Sequence, residues 1–159
     1  MFVTIDYLIK KKCHIIFPSR LDDKWLKDHK EVLLDKIRLL YVGRINPEKG
    51  ISEFIKMFDQ IKLNMELSIV GEERNQKILN KNIKQLGYVA DPRSLIDIYD
   101  NHNIMILPSF TEAHPYVVDE SLSRKRPVII FEDIAYIMKD KKGIFVSKRE
   151  TNSFSKTAK

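Results

Sequence analysis

Short apolar runs, many of them β-branched, recur along the chain at 37–42, 67–70, 83–86, 104–107, 128–131 and 144–146. Each has the length of a buried strand rather than of a helix. Between them apolar residues return at helical spacing: Ile51, Phe54, Ile55 and Phe58 stand at i, i+3, i+4 and i+7, and Leu95, Ile98 and Tyr99 form a second such set. The pattern is therefore strand, helix, strand, helix. Continuous apolar runs suit strands covered on both faces, and parallel neighbours need crossover connections. An α/β fold follows, a doubly wound parallel sheet of about six strands with helices on both sides.

The two ends of the chain break this pattern. Residues 1–30 hold a short amphipathic stretch up to Lys12, an apolar run at 14–17, then Pro18, Ser19 and a charged segment through Trp25 to Lys30. They read as an appended αβ piece with no evident chemistry of its own. Ser19 is placed to cap a helix after Pro18, with Asp22 and Asp23 suited to the positive end of its dipole. Residues 151–159 read Thr-Asn-Ser-Phe-Ser-Lys-Thr-Ala-Lys, too poor in apolar side chains to pack well, and are expected to fray as a polar tail. The central domain then spans 31–150.

Composition narrows the class. A chain of 159 residues, 43% hydrophobic and 31% charged, suffices for one buried core and is ordinary for a soluble domain. No apolar run approaches the roughly 18 residues of a membrane span, and the amino terminus lacks the charge order and cleavage site of a signal peptide. A cytoplasmic protein is expected, with at most peripheral membrane association. The single cysteine, Cys13, has no partner for an internal disulfide or a thiol metal site and reads as inert. The formal charge is +6, but the lysines are scattered. Without aromatic-basic interleaving or a recognition motif, nucleic acid is not an expected partner.

Candidate chemistry gathers at strand ends, where open α/β sheets bind ligands. The segment Tyr-Val-Gly-Arg-Ile-Asn-Pro-Glu-Lys-Gly, residues 41–50, leads from the first core strand towards a helix beginning near Ile51. Gly43 permits a tight turn. Arg44 and Lys49 place two cations near a helix amino terminus, which itself favours an anion. The order of residues is not that of a Walker loop, and no Gly-x-Gly-x-x-Gly follows the strand, which argues against an ordinary dinucleotide site. Solvated surface charges in a turn are an equally good reading of this segment alone. Farther on, Glu112 and Glu120 lie eight positions apart across a strand-to-helix junction, one in the loop and one in the second helical turn. Tyr116 and Glu120 share a helix face, while Val117, Val118 and Ser121 can turn to the sheet. A carboxylate accepts hydroxyl hydrogen bonds, as from a sugar or a ribose diol. Acid for hydroxyls and base for phosphates would suit a nucleotide sugar.

Taken in order, Gly43-Arg44, Lys49-Gly50, Leu86-Gly87-Tyr88-Val89, Ile106-Leu107-Pro108-Ser109, the Glu112/Glu120 pair and Arg126-Pro127-Val128-Ile129 resemble the carboxy-terminal, donor-binding domain of a group 1, family 4 GT-B glycosyltransferase. The similarity covers about 35–147, and the Phe-Pro-Ser at 17–19 resembles the crossing from that family's amino-terminal domain. The resemblance implies a Rossmann-like domain and transfer of a sugar from a nucleotide diphosphate sugar to a glycan or lipid-linked acceptor with retention. It implies no cofactor and no metal. Arg44 and Lys49 would neutralise the leaving diphosphate, Glu112 would orient the sugar and Glu120 the ribose. Tyr88 and Val89 would border the base, with Gly43, Ala113, His114 and Tyr116 completing the donor site.

Several positions depart from the family pattern. After the first glutamate, Ala113-His114-Pro115 replaces Gly-Phe-Gly or Gly-Phe-Pro. Pro115 has no N–H to offer, and Ala113 tolerates a turn less easily than glycine. His114 stands where a lone loop histidine is more often a bystander than a catalyst. Gly-Glu-Glu at 71–73 replaces a Gly-Asp-Gly-like turn, and Arg126 replaces the usual glycine before Pro127. An amino-terminal acceptor domain and the helices that cross back between the domains are not recognised, so the chain reads as truncated, about a third to a half of such an enzyme. It is expected to bind donor better than it transfers sugar, or to need a protein partner supplying the acceptor half. The alternative is a non-catalytic module that binds nucleotide sugar or other proteins.

Overall fold

The computed structural model describes residues 21–32, 34–72, 78–138 and 141–159. The expectations for Cys13, Ser19 and the rest of 1–20 lie outside these residues, as does that for Glu73. Six strands, β1 Ile37–Val42, β2 Met65–Val70, β3 Ile83–Gly87, β4 Ile104–Leu107, β5 Val128–Phe131 and β6 Ile144–Ser147, form one sheet in the order β3-β2-β1-β4-β5-β6. Every pairing is parallel. The helices are α1 Ile51–Phe58, α2 Pro92–Asp100, α3 Tyr116–Ser123, α4 Ala135–Met138 and α5 Thr151–Thr157. This is the Rossmann-like α/β architecture that the periodicity predicts.

Local sequence explains the helix starts. Asp91 caps α2, its carboxylate accepting from the Ser94 N–H at 2.9 Å, with Pro92 preset for the first helical position. Alternation along β1 divides the core into two layers. Leu39 and Tyr41 face α1 and α5 together with Leu67, Ile69 and Phe131. Leu40 faces the opposite side with Met105, Leu107, Val118, Tyr99 and Trp25.

Three expectations need correction. The strands are not all buried on both faces: β3 and β6 are sheet edges, and Leu86, Phe145 and Val146 are 41%, 51% and 38% exposed. The second strand begins at Met65 instead of 67, because the charge on Glu66 interrupts the apolar run although its carboxylate leans out to Lys36 Nζ at 2.5 Å and Lys84 Nζ at 3.7 Å. Residues 151–157 do not fray. Phe154 of α5 is fully buried, edge-on to Phe54 at 5.1 Å and stacked on Phe131 at 6.2 Å, and Ala158 is buried four residues on. One aromatic at helical spacing from one alanine suffices to dock the helix, while Ser153 Oγ accepts from the Lys148 N–H at 3.0 Å.

The segment before β1 also packs on the domain. Asp22 caps a 3-10 turn, Asp23–Leu26, its carboxylate accepting from the Lys24 N–H at 3.0 Å. Trp25 is buried edge-on to Tyr99, with ring centroids 5.6 Å apart. Two buried guanidiniums fasten this segment. Arg124 donates to the carbonyls of Trp25 at 3.0 Å, Lys27 at 2.6 Å and Asp28 at 3.0 Å, and Arg126 donates to that of Lys30 at 3.0 Å. The departure at Arg126 thus has a structural use. The left-handed residue in this turn, where glycine would be at home, is Lys125, with φ 57°. Among the described residues no helix is long and apolar enough to cross a membrane.

Candidate functional site

The strand order reverses between β1 and β4, and the loops leaving their carboxyl ends diverge there to open a cleft. Two adjoining cavities of about 290 and 360 Å³ occupy it and share Val42, Gly43, Arg44, Val117 and Glu120. Lys49, Glu112, His114 and Tyr116 line the first, and Gly71, Glu72, Tyr88, Val89 and Leu95 the second. The structure therefore brings together Gly43, Arg44, Lys49, Tyr88, Val89, Glu112, His114, Tyr116 and Glu120 from three separate stretches of sequence. Ala113 is exposed and lines neither cavity. Hollows of about 510 and 790 Å³ lie elsewhere, one beside Asp23 and Arg124 and one at the amino ends of the strands near Ile37 and Ile104. They are larger, but neither lies at the carboxyl ends of the strands.

Glycine packing sets the backbone of the cleft. Gly50, with φ 63°, ends the 3-10 turn Pro47–Lys49, and a Cβ there would stand 2.1 Å from the Pro108 carbonyl oxygen. Gly50 is thus the turn glycine, a role expected of Gly43. The close approach at Gly43 is made by its neighbour: a Cβ on the facing Gly71 would lie 2.1 Å from the Gly43 carbonyl oxygen, whereas one on Gly43 would meet the Tyr41 hydroxyl at 3.0 Å. Asn46 Oδ1 accepts from the Lys49 N–H at 3.1 Å, and the Phe110 N–H donates to the Glu48 carbonyl at 2.9 Å. The loop after β1 and the loop after β4 consequently form one rigid wall.

Lys49 and Glu112 meet across that wall, Nζ to Oε1 at 2.6 Å, with their side chains 21% and 8% exposed. Ser109, fully buried, donates its hydroxyl to the same Oε1 at 2.7 Å. Both contacts fall on one oxygen. Among the described residues Oε2 receives no hydrogen bond, and no buried polar side-chain atom lacks a partner, so Oε2 keeps its accepting capacity towards the cavity. Arg44 is exposed at the mouth of both cavities and forms no ion pair among the described residues.

Two buried tyrosines brace the site. Tyr41 donates to the Arg44 carbonyl at 2.7 Å, and burial, with the Glu112 charge second, raises its pKa above the ordinary phenol value. Tyr99 donates to Glu120 Oε2 at 2.9 Å; burial, then the Glu120 charge, raises its pKa well above the usual value. His114 Nε2 lies 3.0 Å from Asp119 Oδ2, and its ring meets Tyr116 edge-on at 5.4 Å. Pro115 immediately precedes α3 and its carbonyl accepts from the Val118 N–H at 3.0 Å. Arg149, between β6 and α5, donates to the Pro108 and Ser109 carbonyls at 2.8 and 3.0 Å and lies 3.9 Å over the Phe110 ring.

Ser109, Tyr99 and Arg149 were not among the residues expected at the site. Ser109 had a signal, standing three residues before Glu112 in the same loop. Tyr99 reads in sequence as an apolar helix position, and Arg149 as a surface charge.

The fold is a Rossmann-like α/β domain, and acids and cations gather in the cleft at its switch point. Residues 36–159 match the family model for glycosyl transferases group 1, and the chain belongs to that family. The capsular polysaccharide biosynthesis glycosyltransferase CapM of Staphylococcus aureus is 29% identical over 124 residues, covering 70% of this chain and 31% of CapM. Among solved structures, sucrose-phosphate synthase from Thermosynechococcus elongatus superposes with a TM-score of 0.68 at 19% identity, covering 88% of this chain and 41% of that one. TarM superposes with a TM-score of 0.66 at 17% identity, covering 84% and 29%. At such identities the structural likeness concerns the fold. The chain spans about a third of the length of CapM.

Proposed function

We propose that the cleft binds a nucleoside diphosphate sugar and acts as the donor-binding half of a glycosyltransferase. The observation that carries this reading is the Lys49–Glu112 pair, closed at 2.6 Å in the same cavity that Arg44 and Glu120 line. An anion alone would need no carboxylates, and a neutral sugar alone would need no cations. A ligand with a diphosphate between two hydroxyl-bearing rings needs both.

In this reading Arg44 and Lys49 face the diphosphate. Negative charge grows on it as the bond to the anomeric carbon breaks, so fixed cations stabilise the transition state more than the ground state. Glu112 Oε2 accepts from a sugar hydroxyl, Glu120 accepts from the ribose, and the Val89 and Tyr88 backbone borders the base. His114, held by Asp119, and Tyr116 stand on the sugar side. The two arginine and lysine charges take the part that a metal plays in other transferases, and transfer proceeds with retention to a glycan or lipid-linked acceptor. The acceptor is bound by a further half, as the share of CapM that the chain covers suggests.

Calorimetric titration with uridine, guanosine and adenosine diphosphate sugars tests the reading. At least one binds saturably, and Arg44→Ala combined with Lys49→Ala weakens it by roughly 100-fold, the loss of two charge-assisted contacts. Absence of binding by all of them at millimolar concentration sinks the proposal.

A further inference from the structure

Glu120 lines both cavities, yet its side chain has enough torsional freedom to point into either. Ordering such a chain costs about 1–2 kcal/mol unless the protein has done so beforehand. We propose that Tyr99 is the positioning residue for Glu120: its hydroxyl holds Oε2 so that the carboxylate is presented in one orientation to the ribose of a bound nucleotide, an inference that rests on the donor-site reading above.

The geometry supports a role beyond filling the core. The Tyr99 hydroxyl has one proton and two acceptors within reach, Glu120 Oε2 at 2.9 Å and the Val117 carbonyl at 3.4 Å. The shorter contact is to the charged acceptor, where a hydrogen bond is stronger. A tyrosine needed only for packing would be satisfied by the carbonyl. With its pKa raised by burial and by Glu120, the phenol stays protonated and remains a donor.

The platform under Tyr99 is rigid. Arg126 donates to the Tyr99 carbonyl at 3.3 Å and to that of Asp100 at 2.9 Å, and Arg124 grips the Asp100 carboxylate with two bonds of 2.9 and 2.7 Å. The end of α2 is thereby pinned, and Trp25 packs edge-on against the ring with centroids 5.6 Å apart. Fixed support around a binding group is what preorganisation requires. Arg126, which stands in place of the expected glycine, is part of this support.

The test compares calorimetric affinities for uridine, guanosine and adenosine diphosphates with those for their 2′-deoxy forms. Wild type prefers the ribonucleotide by about 10-fold or more, the worth of a hydrogen bond to a charged group. In Tyr99→Phe the preference falls to about 2–3-fold while deoxynucleotide affinity is unchanged, since only the aim of Glu120 is lost. In Glu120→Gln it nearly vanishes, and adding Tyr99→Phe to that variant changes nothing further. Equal weakening of both nucleotide forms in Tyr99→Phe, or an unchanged preference, overturns the inference while leaving the donor site standing, as does a wild type that binds both forms alike. A wild type that binds no nucleoside diphosphate overturns the donor-site reading and this inference with it. A readout without substitution is the Tyr99 Cζ carbon resonance, which moves when the ribonucleotide binds and stays when the deoxy form does; the same shift with both forms also counts against it.

Discussion

Asp100 and Glu112 are both acids braced by basic side chains, but one closes a knot in the core and the other a wall of the cleft. The Asp100 carboxylate takes two bonds from Arg124 and lies 3.8 Å from Arg126. The three side chains are 1–2% exposed. The other guanidinium hydrogens of Arg124 go to backbone carbonyls, and Arg126 donates to the carbonyls of Lys30, Tyr99, Asp100 and Arg124, so Arg124 has no donor left for a ligand. At Glu112 the cation and the serine both use Oε1, the second oxygen takes no hydrogen bond among the described residues, and the side chain lines a cavity. The difference teaches that pairing of charges does not mark a site; unspent hydrogen-bonding capacity beside a cavity does.

Breaking the knot gives the largest effect. Arg124→Met leaves the Asp100 carboxylate buried beside a less well placed guanidinium and frees the carbonyls of 25, 27 and 28. The expected loss is about 3–5 kcal/mol, which for a domain of this length lowers Tm by roughly 10 °C. Urea denaturation measures it, and below the transition the affinity for a nucleotide sugar stays near that of wild type. A loss below about 1 kcal/mol would put the knot in the same category as a surface ion pair.

Lys49→Met provides the converse. The carboxylate of Glu112 keeps Ser109 as a donor, so stability falls by only about 1–2 kcal/mol, while affinity for the nucleotide sugar drops about 10-fold or more with the loss of one charge-assisted contact. Should this variant lose stability as Arg124→Met does and bind donor normally, the two acids would not differ in kind.

The sequence displayed the strands and the cleft cations for physical reasons that did not reach the rest. Apolar runs at 104–107 and 128–131 are covered on both sides, so the run itself states the burial. Glu66 hid the start of β2, because a charge that leans out to Lys36 looks the same in sequence as one that ends a strand. Arg44, Lys49, Glu112 and Glu120 were legible because strand-to-helix junctions are read locally, and their neighbours in the chain mark them. Tyr99 and Glu120 are 21 residues apart, Arg124 and Asp100 24, and Arg149 and Pro108 41. Contacts at such separations exist only after the sheet has assembled. Phe154 was discounted for the same reason: its seven-residue helix is polar on average, and only the pocket made by Phe54 and Phe131 gives one aromatic enough to bury.

The smallest expected effect lies in the turn that carries the knot. Lys125 sits between the two buried arginines with φ 57°, its side chain exposed. An L-residue in the left-handed region costs about 1–2 kcal/mol, and glycine there recovers this less the roughly 0.5–1 kcal/mol of additional freedom that it brings to the unfolded chain. Lys125→Gly therefore stabilises by about 0.5–1 kcal/mol and raises Tm by about 1–3 °C. Lys125→Ala keeps the strained φ and removes the same charge from the Arg124-Lys125-Arg126 run, so its Tm stays near that of wild type if backbone strain is the cause. Equal stabilisation by alanine and glycine would instead assign the gain to relief of charge repulsion. The two buried guanidiniums would then be held against their own field as well as against burial, and the knot would be weaker than its hydrogen bonds suggest.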